Sequence, residues 1–139
     1  MLMNQIKWNI LDTISHKFFY YLKKKINLQD VKDVFYKLIN YLENQNVILV
    51  IGYIYYLRIF KQIKVSISNY KIIIIACIHL ADIFYNDIHL SIKDIYYIFK
   101  KKYSIRKLNK YQYKLVKLMK YKLFFDLSLY KKLFKEIYN

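Results

Sequence analysis

A chain of 139 residues with 57% hydrophobic side chains holds enough apolar material for one packed core, which excludes a disordered tail or linker. It has no Pro and one Gly, Gly52, so the turns that a β-sandwich or barrel needs about every 8–12 residues are missing, and an all-α chain is expected. A formal charge of +16 favours anionic partners in general, but only Arg58 and Arg106 among the 25 cations are arginines.

The remaining cations are lysines, and Ile, Asn, Tyr and Lys are all abundant, as AT-rich codons would make them. Phosphate recognition recruits Arg for its bidentate geometry. Solvated lysine faces are therefore expected, and a nucleic-acid partner is not. Cys77, the one cysteine, lies in an apolar stretch and reads as a small buried hydrophobe in a reducing compartment. The start, MLMNQIKWNILDTIS, lacks the charged, apolar and small-residue order of a cleaved leader. Two apolar runs, Val47–Leu57 and Ile72–Leu80, fall short of the roughly 20 residues that cross a bilayer. No membrane partner is expected.

In chain order, apolar residues at Ile6, Ile10, Ile14, Phe18, Tyr21 and Leu22 predict a helix over 4–25, closed by the lysines at 23–25. A second helix opens at Asn27, carries Val31, Val34, Phe35, Leu38, Ile39 and Leu42, and runs to about 44, with Asn44-Gln45-Asn46 as the turn. A third, 47–62, is apolar all round and so central. A fourth starts at Ser68-Asn69 behind Ser66 and Ser68 as capping residues and runs to Tyr85. Asp82 and Ile83 mark where this buried helix should surface. Ser91 with Asp94 resembles a capping box for a fifth helix, Ser104 caps a sixth over 105–122, and Asp126 or Ser128 opens the last. The third and fourth together predict a central hairpin wrapped by amphipathic helices. In YQYKLVKLMKYKLFF (111–125) the helical spacing turns the rings to the core and the lysines to water.

Catalytic chemistry is hard to assemble from this inventory. His16, His79 and His89 are not at metal spacing, and His79 with Asp82 shares a helix face but has no nucleophile or third ligand. One glycine cannot make a phosphate-cradling loop. No catalytic residue, metal site or cofactor is expected, and the chain reads as a binding module.

Several stretches resemble a cyclin box in order and spacing: YIYYLRIF (53–60), SNYKIIIIACIHLADIFYND (68–87), SIKDIYYIF (91–99), SIRKLNKYQYKLVKLMKYKL (104–123) and SLYKKL (128–133). The pattern is most similar to the P/U-type, phosphate-system cyclins. Arg58 stands where they end the first central helix in Tyr-Ile-x-Arg, and it reads as closing that helix onto a neighbour. ADIFYND (81–87) replaces their Ala-Ala-Lys-Phe-x-Asp-Asp. Asn109, Lys110, Tyr111 and Gln112 stand in place of Asn-Arg-Leu-Glu, and INLQDVKDVFYKL (26–38) resembles the stretch before the box.

The resemblance covers about residues 26–135 and implies one domain over 1–139, with an N-terminal helix over 1–25. It implies about five helices around a buried central one, with one or two extra N-terminal helices. The implied partner is a cyclin-dependent serine/threonine kinase, activated when the box packs on its αC helix inside the cell, in nucleus or cytoplasm.

In that family a Lys and a Glu pair with each other beside the kinase; here those positions fall on Ile83 and Gln112. Losing one partner alone would strand a half-buried charge, at about 3–5 kcal/mol; losing both avoids this. The implied partner-binding residues are Ile83, Phe84, Arg106, Lys107, Gln112 and Val116. Ile83, Phe84 and Val116 read equally well as core, and Arg106 and Lys107 as a solvated face. A cyclin-fold scaffold that binds without activating is the alternative, and a basic helical nucleic-acid binder is the remaining one.

Overall fold

The computed structural model describes residues 11–18 and 26–138. Among them the regular elements are all helices: α1 (11–18), α2 (Leu28–Ile39), α3 (Gln45–Ile59), α4 (Tyr70–Tyr85), α5 (Ile92–Ile98), α6 (Ile105–Leu118) and α7 (Leu127–Tyr138). The expected N-terminal helix is described only in its centre. Ile6, Ile10, Tyr21, Leu22 and the lysines at 23–25 lie outside the described residues.

Helix starts follow from local side-chain chemistry. The Asn27 side chain accepts from the Gln29 amide at 2.8 Å, and Asp30 sits in the first turn of α2. Ser91 and Asp94 form a full capping box, with bonds of 3.1 and 2.8 Å. Ser104 Oγ accepts from the Lys107 amide, and Asp126 Oδ1 from the Ser128 amide.

Helix ends were harder to foresee. Helix α2 stops at Ile39 rather than near 44, because Gln45 Nε2 donates to the Ile39 carbonyl at 2.7 Å and so covers its end. Gln45 then opens α3, two residues earlier than expected. At α4 the capping residue is Asn69, whose side chain folds back onto the Ser66 amide and the Lys64 carbonyl instead of capping the helix. Helix α6 ends at Leu118, not 122: Lys120 and Tyr121 turn left-handed and the Tyr121 amide closes on the Val116 carbonyl at 2.9 Å. Lys100 and Lys101 close α5 in the same way. Glycine normally takes such positions. With its one glycine spent elsewhere, this chain uses Lys and Tyr, at about 1–2 kcal/mol each.

Helices α3 and α4 form the central hairpin. Every residue from Ile72 to Asp82 is buried, a stretch in which each large aliphatic contributes about 1.5–3 kcal/mol. Helices α2 and α6 pack on α4, α7 on α3, and α5 on α6. Phe18 anchors α1, its ring 4.6 Å from Tyr56 and 5.1 Å from Phe35, while Asp12 pairs with Lys32 at 3.1 Å.

Gly52 sets how closely the hairpin closes. A Cβ there would lie 2.5 Å from Ile78 Cδ1, 3.4 Å from Ile78 Cα and 3.6 Å from the Cys77 carbonyl oxygen. In Gly52→Ala a methyl can swing away, and better helix propensity offsets most of that cost, so stability should change by less than about 1 kcal/mol. In Gly52→Val the added carbons meet backbone, and a loss of about 3 kcal/mol is expected. Urea unfolding of both variants checks this. Equal losses would mean that Gly52 does not govern the approach.

Candidate functional site

The buried end of α4 carries polar residues that a core helix should avoid. Asp82 is 1% exposed and His79 3% exposed, so α4 does not surface at Asp82 as its sequence suggested. Burial of such groups is tolerated only when they are hydrogen-bonded, and both bind the peptide groups of one residue. The Leu90 amide donates to Asp82 Oδ2 at 2.8 Å, and the Leu90 carbonyl meets His79 Nε2 at 2.6 Å. The three-residue spacing that looked like a weak catalytic pair therefore clasps the loop after α4.

The network reaches outward at both ends. Asn86 Nδ2 donates to Asp82 Oδ1 at 2.7 Å and to the Glu43 carbonyl at 3.0 Å, while Asn86 Oδ1 accepts from Asn44 at 2.7 Å. Asn44 is left-handed and spends its amide on Asn86 instead of capping α3. At the other end Gln112 Nε2 lies 3.0 Å from His79 Nδ1. Because Nε2 faces a carbonyl it must carry the proton, which leaves Nδ1 to accept from Gln112. One chain of hydrogen bonds thus joins α6, α4, the 86–91 loop and the α2–α3 turn.

Burial lowers the His79 pKa below the usual 6.5, outweighing the opposing pull of the Leu90 carbonyl and the Asp82 charge. The folded chain keeps His79 neutral while the unfolded chain binds a proton near pH 6.5. Stability should therefore be fully present above about pH 6.5 and fall below it, by at most about 1.4 kcal/mol per pH unit. Denaturant unfolding between pH 7.5 and 5.5 reads this directly. His79→Gln should flatten the curve in that window; an unchanged slope in the variant would show that His79 is not its source.

Beside this network the chain from 122 to 126 runs extended, held by α3. Tyr55 Oη donates to the Leu123 carbonyl at 2.9 Å, and the two Arg58 terminal nitrogens donate to the Lys122 and Phe124 carbonyls. Arg58 has the closing role expected of it. The segment presents Phe124 and Phe125 to Phe84, each ring 5.8 Å away and edge-on. Phe125 stacks in turn on Tyr130. The rim is exposed: Tyr85 47%, Ile88 77%, Phe124 79% and Leu127 61%.

No family model matches this chain, and neither a curated protein nor a solved structure matches it.

The structure brings some of the expected partner-binding residues together. Ile83 and Phe84 are half-buried at the end of α4, and Gln112 and Val116 are half-buried on α6. Gln112 hydrogen-bonds His79, which lies one helical turn before Ile83 on α4. Arg106 and Lys107 stand apart from this group. They are exposed at the start of α6 and line a shallow cleft of about 440 Å³ with Ser104, Lys110 and Tyr111.

The rings of 111–125 do not all turn inward. Tyr113, Tyr121 and Phe124 are exposed, because 113 falls on the same helical face as 106, 110 and 117, and the chain after 118 is no longer helical. Sequence reasoning also missed the rim residues Tyr85, Ile88 and Phe124. The signal available was an aromatic run longer than the helix that could bury it.

Among the described residues no group of three or more His, Cys, Asp or Glu could hold a metal ion, and no helix is long and apolar enough to cross a membrane. The Cys77 thiol is fully buried, and burial alone pushes its pKa well up, so it is held as an inert thiol.

Proposed function

We propose that this chain is a cyclin-like regulatory subunit, not an enzyme, that binds a cyclin-dependent serine/threonine kinase and activates it by packing on its αC helix. The observation that carries the reading is the exposed apolar rim at the end of α4. Tyr85 and Ile88, exposed, follow Ile83 and Phe84 in the chain, and the exposed Phe124 ring packs edge-on against Phe84; the resemblance assigns Ile83 and Phe84 to the kinase-facing groove. Apolar side chains of this size left in water mark an interaction surface. The buried α3–α4 hairpin, with α2, α6 and α7 packed on it and α5 on α6, supports a cyclin box as the architecture.

Docking would order the kinase αC helix and shift its population toward the active state. The family's charged pair is replaced by an aliphatic side chain at Ile83 and an amide at Gln112, which is already engaged with His79. This supports a docking surface specified by apolar contact rather than by charge, and the loss of both charges is what motivates the alternative, a cyclin-fold scaffold that does not activate a kinase. The reading implies an intracellular protein, in the nucleus or cytoplasm. Purification of the tagged chain from its own organism tests it: a stoichiometric cyclin-dependent kinase with raised phosphorylation of a substrate is the expected result. A kinase bound without gain in activity, or a clean purification without any kinase, would overturn the activating reading and leave the scaffold that binds another partner protein.

A further inference from the structure

Between Asp94 and Asp126 the chain carries ten cations and no carboxylate, against fifteen cations and nine carboxylates elsewhere. Codon bias that enriches Lys also admits Asp and Glu, so composition alone does not separate them. The fold adds two facts. All ten cations, Lys100, Lys101, Lys102, Arg106, Lys107, Lys110, Lys114, Lys117, Lys120 and Lys122, are exposed. None is among the ion pairs of the described residues, which join Lys17 to Glu136 and Lys32 to Asp12. Like charge is also crowded: Lys71 and Lys37 push the Lys102 pKa down.

Five of these cations form one stripe. Arg106 and Lys107, Lys110, Lys114 and Lys117 recur at three- and four-residue steps along one face of α6, and Lys107 to Lys117 spans about 15 Å. Exposed rings stand among them. Lys117 Nζ lies 5.3 Å from the centroid of Tyr113, and Lys101 Nζ lies 5.8 Å from that of Tyr97. Tyr113 and Tyr121, towards the C-terminal end of the stripe, both expose their rings.

We propose that this face of α6 binds single-stranded nucleic acid, with the lysines and Arg106 on the phosphates and Tyr113 and Tyr121 as a stacking platform for bases. The charge suits any polyanion, and the rings decide between them. A phosphate held by Lys117 leaves its base within reach of the Tyr113 ring, whereas an acidic peptide has no flat π-face to stack there. The inference stands on α6 and the turn that follows it, and does not depend on the kinase reading.

Fluorescence anisotropy of the full chain with a labelled twenty-nucleotide oligothymidylate tests it, beside polyglutamate of matched charge. The oligonucleotide should bind about tenfold or more tighter, with log K falling linearly against log salt. Replacing Lys110, Lys114 and Lys117 by Gln should reduce that slope by about two, at about 0.7 per phosphate contact. Tyr113→Ala should weaken binding about fivefold or more and leave the slope unchanged. Circular dichroism should be unaltered, since all four side chains are exposed. No binding at low salt, polyglutamate binding as tightly, or a triple variant with the original slope would each overturn the proposal.

Discussion

Asp82→Ala should lower the melting temperature by about 10 °C. The carboxylate accepts from the Leu90 amide and from Asn86 Nδ2 inside a site that water does not reach. Removing it strands the Leu90 amide and one of the two Asn86 N–H bonds, the other still reaching the Glu43 carbonyl, and each stranded donor costs about 1–3 kcal/mol. A total of about 3 kcal/mol corresponds to that shift in a domain of this size. Asp82→Asn should cost about half as much, since one oxygen can still receive the Leu90 amide while its new amide opposes Asn86. Thermal melts of the two variants decide the matter. A shift below about 3 °C for Asp82→Ala would mean that the loop after α4 is held by something else. The effect should also spread, because Asn86 connects Asp82 to the Glu43 carbonyl and to Asn44. Hydrogen exchange should speed up in the α2–α3 turn as well as in residues 86–91.

On the proposed kinase reading, placing charge in the aromatic rim should weaken kinase capture without unfolding the chain. Phe124 is 79% exposed and Tyr85 about half exposed, so Phe124→Asp with Tyr85→Asp removes little that the fold needs. In an apolar interface each would be a buried, unpaired carboxylate. A loss of about thirtyfold or more in affinity is expected, which is the hot-spot scale of about 2 kcal/mol. Lys64→Asp, in the exposed loop between α3 and α4, is the control and should bind as the unaltered chain does. Undiminished binding of the kinase by the double variant would remove this surface from the proposal.

The number and order of helices could be read from periodicity, and the starts from Asn27, Ser91, Ser104 and Asp126. Each start is a local event: a side chain bonds an amide two or three residues on, and nothing distant need intervene. The ends were misplaced for the opposite reason. Gln45 closes α2 across a turn, and α6 stops where two non-glycine residues turn left-handed, a conformation that no residue type announced. Among the candidate residues, Ile83 and Phe84 stand at the end of α4 and Gln112 and Val116 on α6, as the spacing within each helix implied. That Gln112 serves His79 could not be read, because the two lie on different helices and meet only when α6 packs on α4.

What this sequence determined by itself is the helical class, the greasy central pair α3 and α4, and a cationic stretch from 95 to 125 without a carboxylate. These follow from composition and from spacing within single segments. The tertiary structure alone decided that Asp82 and His79 clasp Leu90 instead of facing water, and that the lysines of α6 stand together with exposed tyrosines. A hydrophobic pattern states which residues should leave water. It does not state which buried polar group will find its partner on another element, because that depends on the packing of helices far apart in the chain.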